Sequence, residues 1–481
     1  GTKGTITMST QKYDVNQILS RLKDFQRRST EHVFRRLYTD PDSVDRFLLA
    51  DEVGLGKTLV ARGVIAKAVE HLKKTVKRID IVYICSNSDI ARQNISRLKL
   101  DASDAFTFAS RLTLLPLCMK ELDSREVNFV SFTPGTSFDI SGGSGIVEER
   151  ALIYTLLEAP WGLNGTGPKN ALQCGAGTDR WRNYLSWFIK ERYKDVDTNL
   201  ATDFIAELQK TPKLREIFID LCERFQRDRK HIPAEDSRAR NKLVGELRQI
   251  LAQCCVRKLE PDLVILDEFQ RFRHLLNPDD EVAKLASELF NYKGPKDERA
   301  RVLLLSATPY KMYTLSNDPE DDHYRDFLET TKFLFPQGNE TTEFEKELRN
   351  YRATLCLDQD QEAQFTVAKT AIENRLRRIM CRTERLGISA DRNGMLKEIS
   401  SPALLTSTDV RTYAWLDSIN GILATTDCLE LWKSGAYLLN FMENYELKRK
   451  VAQAAKDNDI DLRQSLSKAG AAMFQSEAVQ R

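Results

Sequence analysis

The sequence predicts a doubly wound α/β fold, a parallel sheet covered by helices on both faces. Three observations predict it. Short, nearly continuous apolar runs recur along the chain. Helix-periodic stretches separate them. A glycine-rich turn joins the first run to the helix that follows it.

Taken in order, residues 1–15 read as a flexible amino-terminal stretch. Asn16 to about Tyr38 has helical periodicity and a basic stripe. Arg46 to Ala50 (RFLLA) is a buried strand, and Thr58 to Lys74 the helix after the turn. Ile79 to Cys85 (IDIVYIC) is a second strand, followed by a helix from Asp89 to Leu100. Val127 to Phe132 (VNFVSF) is a third. The Gly/Ser cluster at 141–145 reads as a flexible loop.

Residues 147–258 then break the alternation. They are long, charged and helix-periodic, with Trp181, Leu185, Phe188 and Ile189 recurring on one face, and read as a helical insertion between two strands. Trp161, Trp181 and Trp187 are expected in its core. Leu263 to Leu266 and Val302 to Leu305 complete the sheet. The α/β lobe is thus expected at 16–146 and 259–395, and residues 396–481 read as a helical tail.

Composition narrows the function classes. The chain has 481 residues, room for about three domains. Its 72 Lys+Arg against 70 Asp+Glu leave a formal charge of +2, so any nucleic acid must be held by a local patch and not by a global field. Nine cysteines lack CxxC spacing, which argues against a disulfide framework or zinc ribbon and for a reducing compartment, the cytoplasm. No apolar run approaches the ~18 residues of a membrane span, and no secretory pattern opens the chain. The five histidines are scattered, without HExxH spacing, and no GxSxG elbow occurs.

The chemistry concentrates in Asp51-Glu52-Val53-Gly54-Leu55-Gly56-Lys57-Thr58. Between a strand and a helix, Gly54, Leu55 and Gly56 form a bend whose N–H groups face one point, reinforced by the positive end of the helix. Lys57 is placed to reach the β- and γ-phosphates of ATP, and the Thr58 hydroxyl to ligate Mg²⁺. The match to GxxxxGK[ST] departs at one place, where Asp51 replaces the first glycine. Downstream, Asp267-Glu268 follows the strand LVIL, at the edge where open α/β sheets bind ligands. Asp267 is expected to hold Mg²⁺ through water and Glu268 to polarise the attacking water. Ser306-Ala307-Thr308, directly after VLLL, can bond the acidic pair and sense the γ-phosphate.

These three elements, in this order, resemble the first RecA-like motor lobe of superfamily-two helicases and translocases. DEVGLGKT, DEFQ and SATPY look most like the Swi/Snf-like double-stranded DNA translocases, although DEFQ departs from the usual DEAH or DEAD. The resemblance covers about residues 20 to 390 apart from the insertion. It implies further roles. Gln26, in LKDFQRRS, resembles the Q motif that reads the adenine edge. Ser86, Asn87 and Gln93, in SNSDIARQN, and Thr133, Pro134 and Gly135 resemble the two motifs that grip a nucleic-acid backbone. Leu376-Arg377-Arg378 through Glu384 resembles the stretch that closes the first lobe. Arg377, Arg378, Arg382 and Arg385 sit too late in that lobe to serve as arginine fingers. The family completes its ATP site with a second lobe, and no second parallel-sheet pattern follows Leu305, so the chain reads as the amino-terminal part of a longer motor.

The implied activity is ATP hydrolysis with Mg²⁺, coupled to nucleic acid, most simply duplex DNA. A protein partner on the insertion is a further expectation, and no membrane role is. The rival reading is a nucleotide switch that recruits a protein partner without translocating. A metabolic kinase is poorer, because SATP and the Q-like segment have no role in one.

Overall fold

The computed structural model describes residues 14–100, 106–108, 111–138, 143–227, 232–277, 283–294, 298–307, 323–335, 338–354, 362–384 and isolated positions beyond. Residues 1–392 form one compact unit. In the second, 393–481, the described positions, such as Ser407, Val410 and Gln464, are helical.

Among the described residues, seven parallel strands form one sheet in the order β3-β4-β2-β5-β6-β1-β7. They are β1 (Arg46–Leu49), β2 (Ile79–Ile84), β3 (Phe106–Phe108), β4 (Val127–Phe132), β5 (Leu263–Asp267), β6 (Arg301–Leu305) and β7 (Met380–Cys381). With helices on both faces, this is the doubly wound RecA-like architecture that the apolar runs predict. The two-residue period sorts each strand between two cores. Leu48, Val82, Val264 and Leu304 join the core on one face, and Phe47, Ile81, Ile265 and Leu303 the core on the other. Both faces are dry, which is why these strands read as continuous apolar runs.

Helices α1 (Val15–Ser20), α2 (Asp24–Phe34), α3 (Lys57–Leu72) and α4 (Ser88–Leu98) supply the second core, through Val15, Val33, Val60, Val64, Ala91 and Ile95. The single helix expected from Asn16 to Tyr38 is in fact three pieces. Asp14 caps α1 by accepting from the Asn16 N–H (2.8 Å). The chain breaks near Leu22 and restarts at α2, where Gln26 Oε1 accepts from the Lys23 N–H (3.0 Å). Arg35–Thr39 then widens into a π-helix. Two strands, β3 and β7, escaped the sequence reading, being too short to show a period.

Between β4 and β5 the chain runs through helices from Val147–Trp161 to Ala234–Leu259. Leu152, Trp181, Phe204, Phe218 and Leu247 belong to the same apolar cluster as the first sheet face. The inserted segment therefore contributes to the layer on that face, together with residues such as Leu115, Phe269 and Leu289. Trp181 is fully buried and Trp161 packs against the cluster, but Trp187, expected in the core, is 46% exposed. It sits two residues past Leu185 on a helix whose inward face is set by Trp181 and Leu185.

At the amino edge of the sheet, two acids meet on adjacent strands. Asp262 Oδ2 accepts from the Asp80 N–H (2.8 Å), while the Asp80 carboxylate takes Arg78 and the Asn128 amide (2.8 Å). Burial pushes Asp262 up to about 7 and Asp80 up to about 6, each raised further by nearby acids and opposed by Arg78. An acid raised on folding binds its proton more tightly in the native state, so its contribution is most favourable below the ordinary carboxylate range. That contribution declines as pH rises from about 4 through about 7. Asp262→Asn should therefore gain thermal stability relative to wild type as pH rises from 5 to 8, by about 2–4 °C for each kcal/mol relieved. A difference in melting temperature that does not change with pH would contradict this account.

Candidate functional site

The carboxyl ends of β1, β6 and β5 lie side by side, with Leu49 beside Leu305 and Leu305 beside Asp267. Two strand spacings, about 10 Å, separate the start of the phosphate turn from the acidic pair. Residues more than 200 positions apart in sequence thereby share one edge, as the motif order predicts. Backbone bonds extend the ladder past the strand ends: the Ser306 N–H donates to Leu49 O (3.1 Å) and the Glu268 N–H to Leu305 O (3.0 Å). Ser306 is fully buried and Ala307 follows it at the same edge. Thr308 lies outside the described residues.

Gly54 (φ +83°) and Gly56 (φ +82°) give the turn its bend in the left-handed region that side chains disfavour. Gly56 is required a second time, since a Cβ there would stand 2.6 Å from Gln26 Nε2. Leu55 is buried beneath the turn, and its carbonyl accepts from that same amide nitrogen (2.8 Å). As placed, Gln26 braces the glycine turn with its amide nitrogen, while its amide oxygen accepts from the Lys23 N–H at the start of α2. Helix α3 begins at Lys57, so its first-turn N–H groups face outward, beyond the helix end, with Thr58 in that turn.

Lys57 Nζ donates to the carbonyl of Asp51 across the turn (3.2 Å). Burial lowers its pKa, while the charges of Asp51, Asp267 and Glu268 pull it back up. The same lysine thus feels both downstream acids. Burial raises Asp267, the Tyr83 hydrogen bond opposes this, and the charge of Glu268 adds to it. Glu268 is a non-glycine residue at φ +51° and pairs with Arg271 (3.0 Å). Such a strained backbone persists only where its surroundings hold it, here by the ladder bond from its N–H and the fully buried Phe269 next to it. That burial accounts for an aromatic residue in the DEFQ segment.

The donor set suits a magnesium nucleotide. Two adjacent carboxylates repel unless a cation stands with them, and a lysine and helix N-terminus face them. Among the described residues no three His, Cys, Asp or Glu side chains gather as a metal cage. Mg²⁺ needs none, since one or two protein oxygens with phosphates and water suffice. Asp267 and Thr58 are the residues that would hold it.

The two loops expected to grip nucleic acid leave the same sheet edge, from the neighbouring strands β2 and β4. Ser86 and Asn87 are exposed after β2, with Gln93 exposed on α4. After β4, Thr133 is half-buried, Pro134 buried and Gly135 exposed with open space around it.

Sequence reasoning missed three partners of this site. Asp51, seen only as a departure from consensus, is fully buried, and its Oδ1 accepts from the Thr383 N–H (2.8 Å). The Ala50 N–H donates to Cys381 O (2.8 Å) and the Glu52 N–H to Thr383 O (3.0 Å), so the segment after β7 is zipped to the phosphate turn. Arg377 and Arg378 pair locally, with Glu373 and with Asp42 and Glu340, and Arg382 with Glu384. Arg385 lies outside the described residues. The other two partners are Tyr83 and Asn94. Tyr83 Oη donates to Asp267 Oδ2, and Asn94 Nδ2 lies 3.1 Å from the same oxygen. One signal was available: a tyrosine within a strand buried on both faces must find a partner for its hydroxyl.

No family model and no curated protein matches the chain. Among solved structures it is similar to a Sulfolobus solfataricus SWI2/SNF2 ATPase core in complex with dsDNA, at TM-score 0.33 and 11% identity, over 92% of this chain and 64% of that one. It is also similar to a nuclease-deletion mutant of the Type ISP restriction-modification enzyme LlaGI in complex with a DNA substrate mimic, at TM-score 0.26 and 9% identity, over 96% of this chain and 32% of that one. The chain thus spans less than two thirds of the length of either.

Proposed function

We propose that this chain is the ATP-binding lobe of an ATP-dependent motor of the helicase and translocase class, acting on nucleic acid, with duplex DNA as its substrate. The observation that carries the reading is the meeting of Lys57 with Asp267 and Glu268 at one sheet edge, beside a glycine turn at a helix N-terminus. Next to it stand the loops after β2 and β4, exposed at Ser86, Asn87 and Gly135.

In this reading Lys57 and the turn's N–H groups bind the phosphates, and Gln26 holds the turn in shape for them. Asp267 and Thr58 hold Mg²⁺, which when bound neutralises charge developing on the phosphate oxygens. Glu268 leaves Arg271 to orient water toward the γ-phosphate and accept its proton. Ser306, next to the acidic pair, serves with Ala307 and Thr308 as the link between hydrolysis and movement. Ser86, Asn87, Gln93, Thr133, Pro134 and Gly135 hold backbone phosphates, so binding falls with salt and shows little sequence preference. A second lobe supplies the remaining cations. The chain works inside the cell. Among the described residues no helix is long and apolar enough to cross a membrane.

The ATPase rate of the full-length protein, with and without duplex DNA, tests the reading. Stimulation of tenfold or more by duplex supports a motor. Hydrolysis indifferent to any nucleic acid would instead favour a nucleotide switch that recruits a protein partner.

A further inference from the structure

The Asp267 carboxylate is held from one side by residues of two other elements. Its Oδ2 accepts from Tyr83 Oη on β2, and Asn94 Nδ2 on α4 is within reach of both that oxygen (3.1 Å) and Tyr83 Oη (3.0 Å). Tyr83 is fully buried, so this hydroxyl has no solvent to fall back on. With Oδ2 committed to two donors, the carboxylate cannot rotate freely, and Oδ1 is the oxygen left for a metal-bound water. Asn94 stands six residues into α4, roughly 9 Å along the helix from its start. That start directly follows Ser86 and Asn87, exposed at the end of β2. A displacement of α4 by about 1 Å along this contact would take the 3.1 Å distance beyond hydrogen-bonding range.

We infer that Tyr83 and Asn94 are positioning residues that couple engagement of a nucleic-acid backbone at the Ser86–Asn87 loop to the orientation of the magnesium-holding carboxylate of Asp267. The inference deepens the reading above and rests on it. Backbone phosphate drawn to the loop resets α4. Asn94 moves with the helix, and the Asp267 carboxylate is tightened or released. Linkage requires the converse: magnesium nucleotide at Asp267 must change duplex affinity by the same factor.

The test measures duplex DNA affinity of the full-length protein by fluorescence anisotropy, without nucleotide and with saturating magnesium adenylyl imidodiphosphate. The wild-type ratio of the two affinities is expected to differ from one by roughly 5–150-fold. In Tyr83→Phe and Asn94→Leu, each lacking one donor, it should fall to within about twofold of one. Nucleotide affinity in EDTA should stay near wild type, because Lys57 and the turn are untouched. Should Asn94→Leu fail to fold, Asn94→Asp removes the donor at nearly constant size and should show the same loss, with a raised Mg²⁺ requirement for nucleotide binding. Variants that keep the wild-type ratio and Mg²⁺ requirement overturn the coupling alone, as does a wild-type ratio of one. A wild-type protein that binds no magnesium nucleotide overturns the coupling together with the functional reading beneath it.

Discussion

Lys57→Ala should lower ATP affinity by about 100-fold or more. The ammonium sits in a partly buried turn, and the groups around it leave one reason for a cation there. It lies over the Asp51 carbonyl at 3.2 Å and within the field of Asp267 and Glu268. A charge-assisted contact to phosphate in such a site contributes about 3 kcal/mol, which is about two decades in affinity. Lys57→Arg should rescue little, because the fork of a guanidinium does not replace a compact ammonium inside a tight turn. Calorimetric titration with magnesium ATP measures both. Nucleotide affinity unchanged in the alanine variant would remove the phosphate turn from the mechanism.

Glu268→Gln should separate binding from hydrolysis. The side chain is half-exposed, and its present partner is Arg271, so losing its charge disturbs little of the fold. In the full-length protein, hydrolysis should fall by about 10²–10⁴-fold while nucleotide binding stays within a few-fold of wild type. The amide preserves shape but cannot take a proton from water. Single-turnover hydrolysis set beside equilibrium binding separates the two effects. A variant that hydrolyses at the wild-type rate would show that another group orients the water. Asp267→Asn differs in kind, because Asp267 is held by Tyr83 and Asn94 and its loss should appear in the Mg²⁺ requirement.

What the sequence made legible follows a physical pattern. The phosphate turn was readable because it is local: glycines, lysine and threonine act within a few residues, between a strand and a helix that each announce themselves. The five longer strands were readable because both their faces are dry. β3 and β7 span too few residues to carry a period. The breaks near Leu22 and after Phe34 depend on Gln26 turning its amide to the backbone and on a widened helical turn, neither of which periodicity reveals. Asp51 was visible only as an exception, because its partner Thr383 lies 332 residues away. Tyr83 and Asn94 each belonged to a recognised segment, yet their meeting at Asp267 appears only once β2, α4 and β5 are folded together.

The zipper between the phosphate turn and the segment after β7 has a mechanical consequence. Cys381 and Thr383 are bonded to Ala50, Asp51 and Glu52, and Asp51 is three residues from Gly54. Tension on the chain beyond Thr383 therefore loads the residues that lead directly into the glycine turn. It pulls along a parallel pairing in shear, where several bonds must yield at once. A tug from that side reaches the glycine turn directly through these bonds.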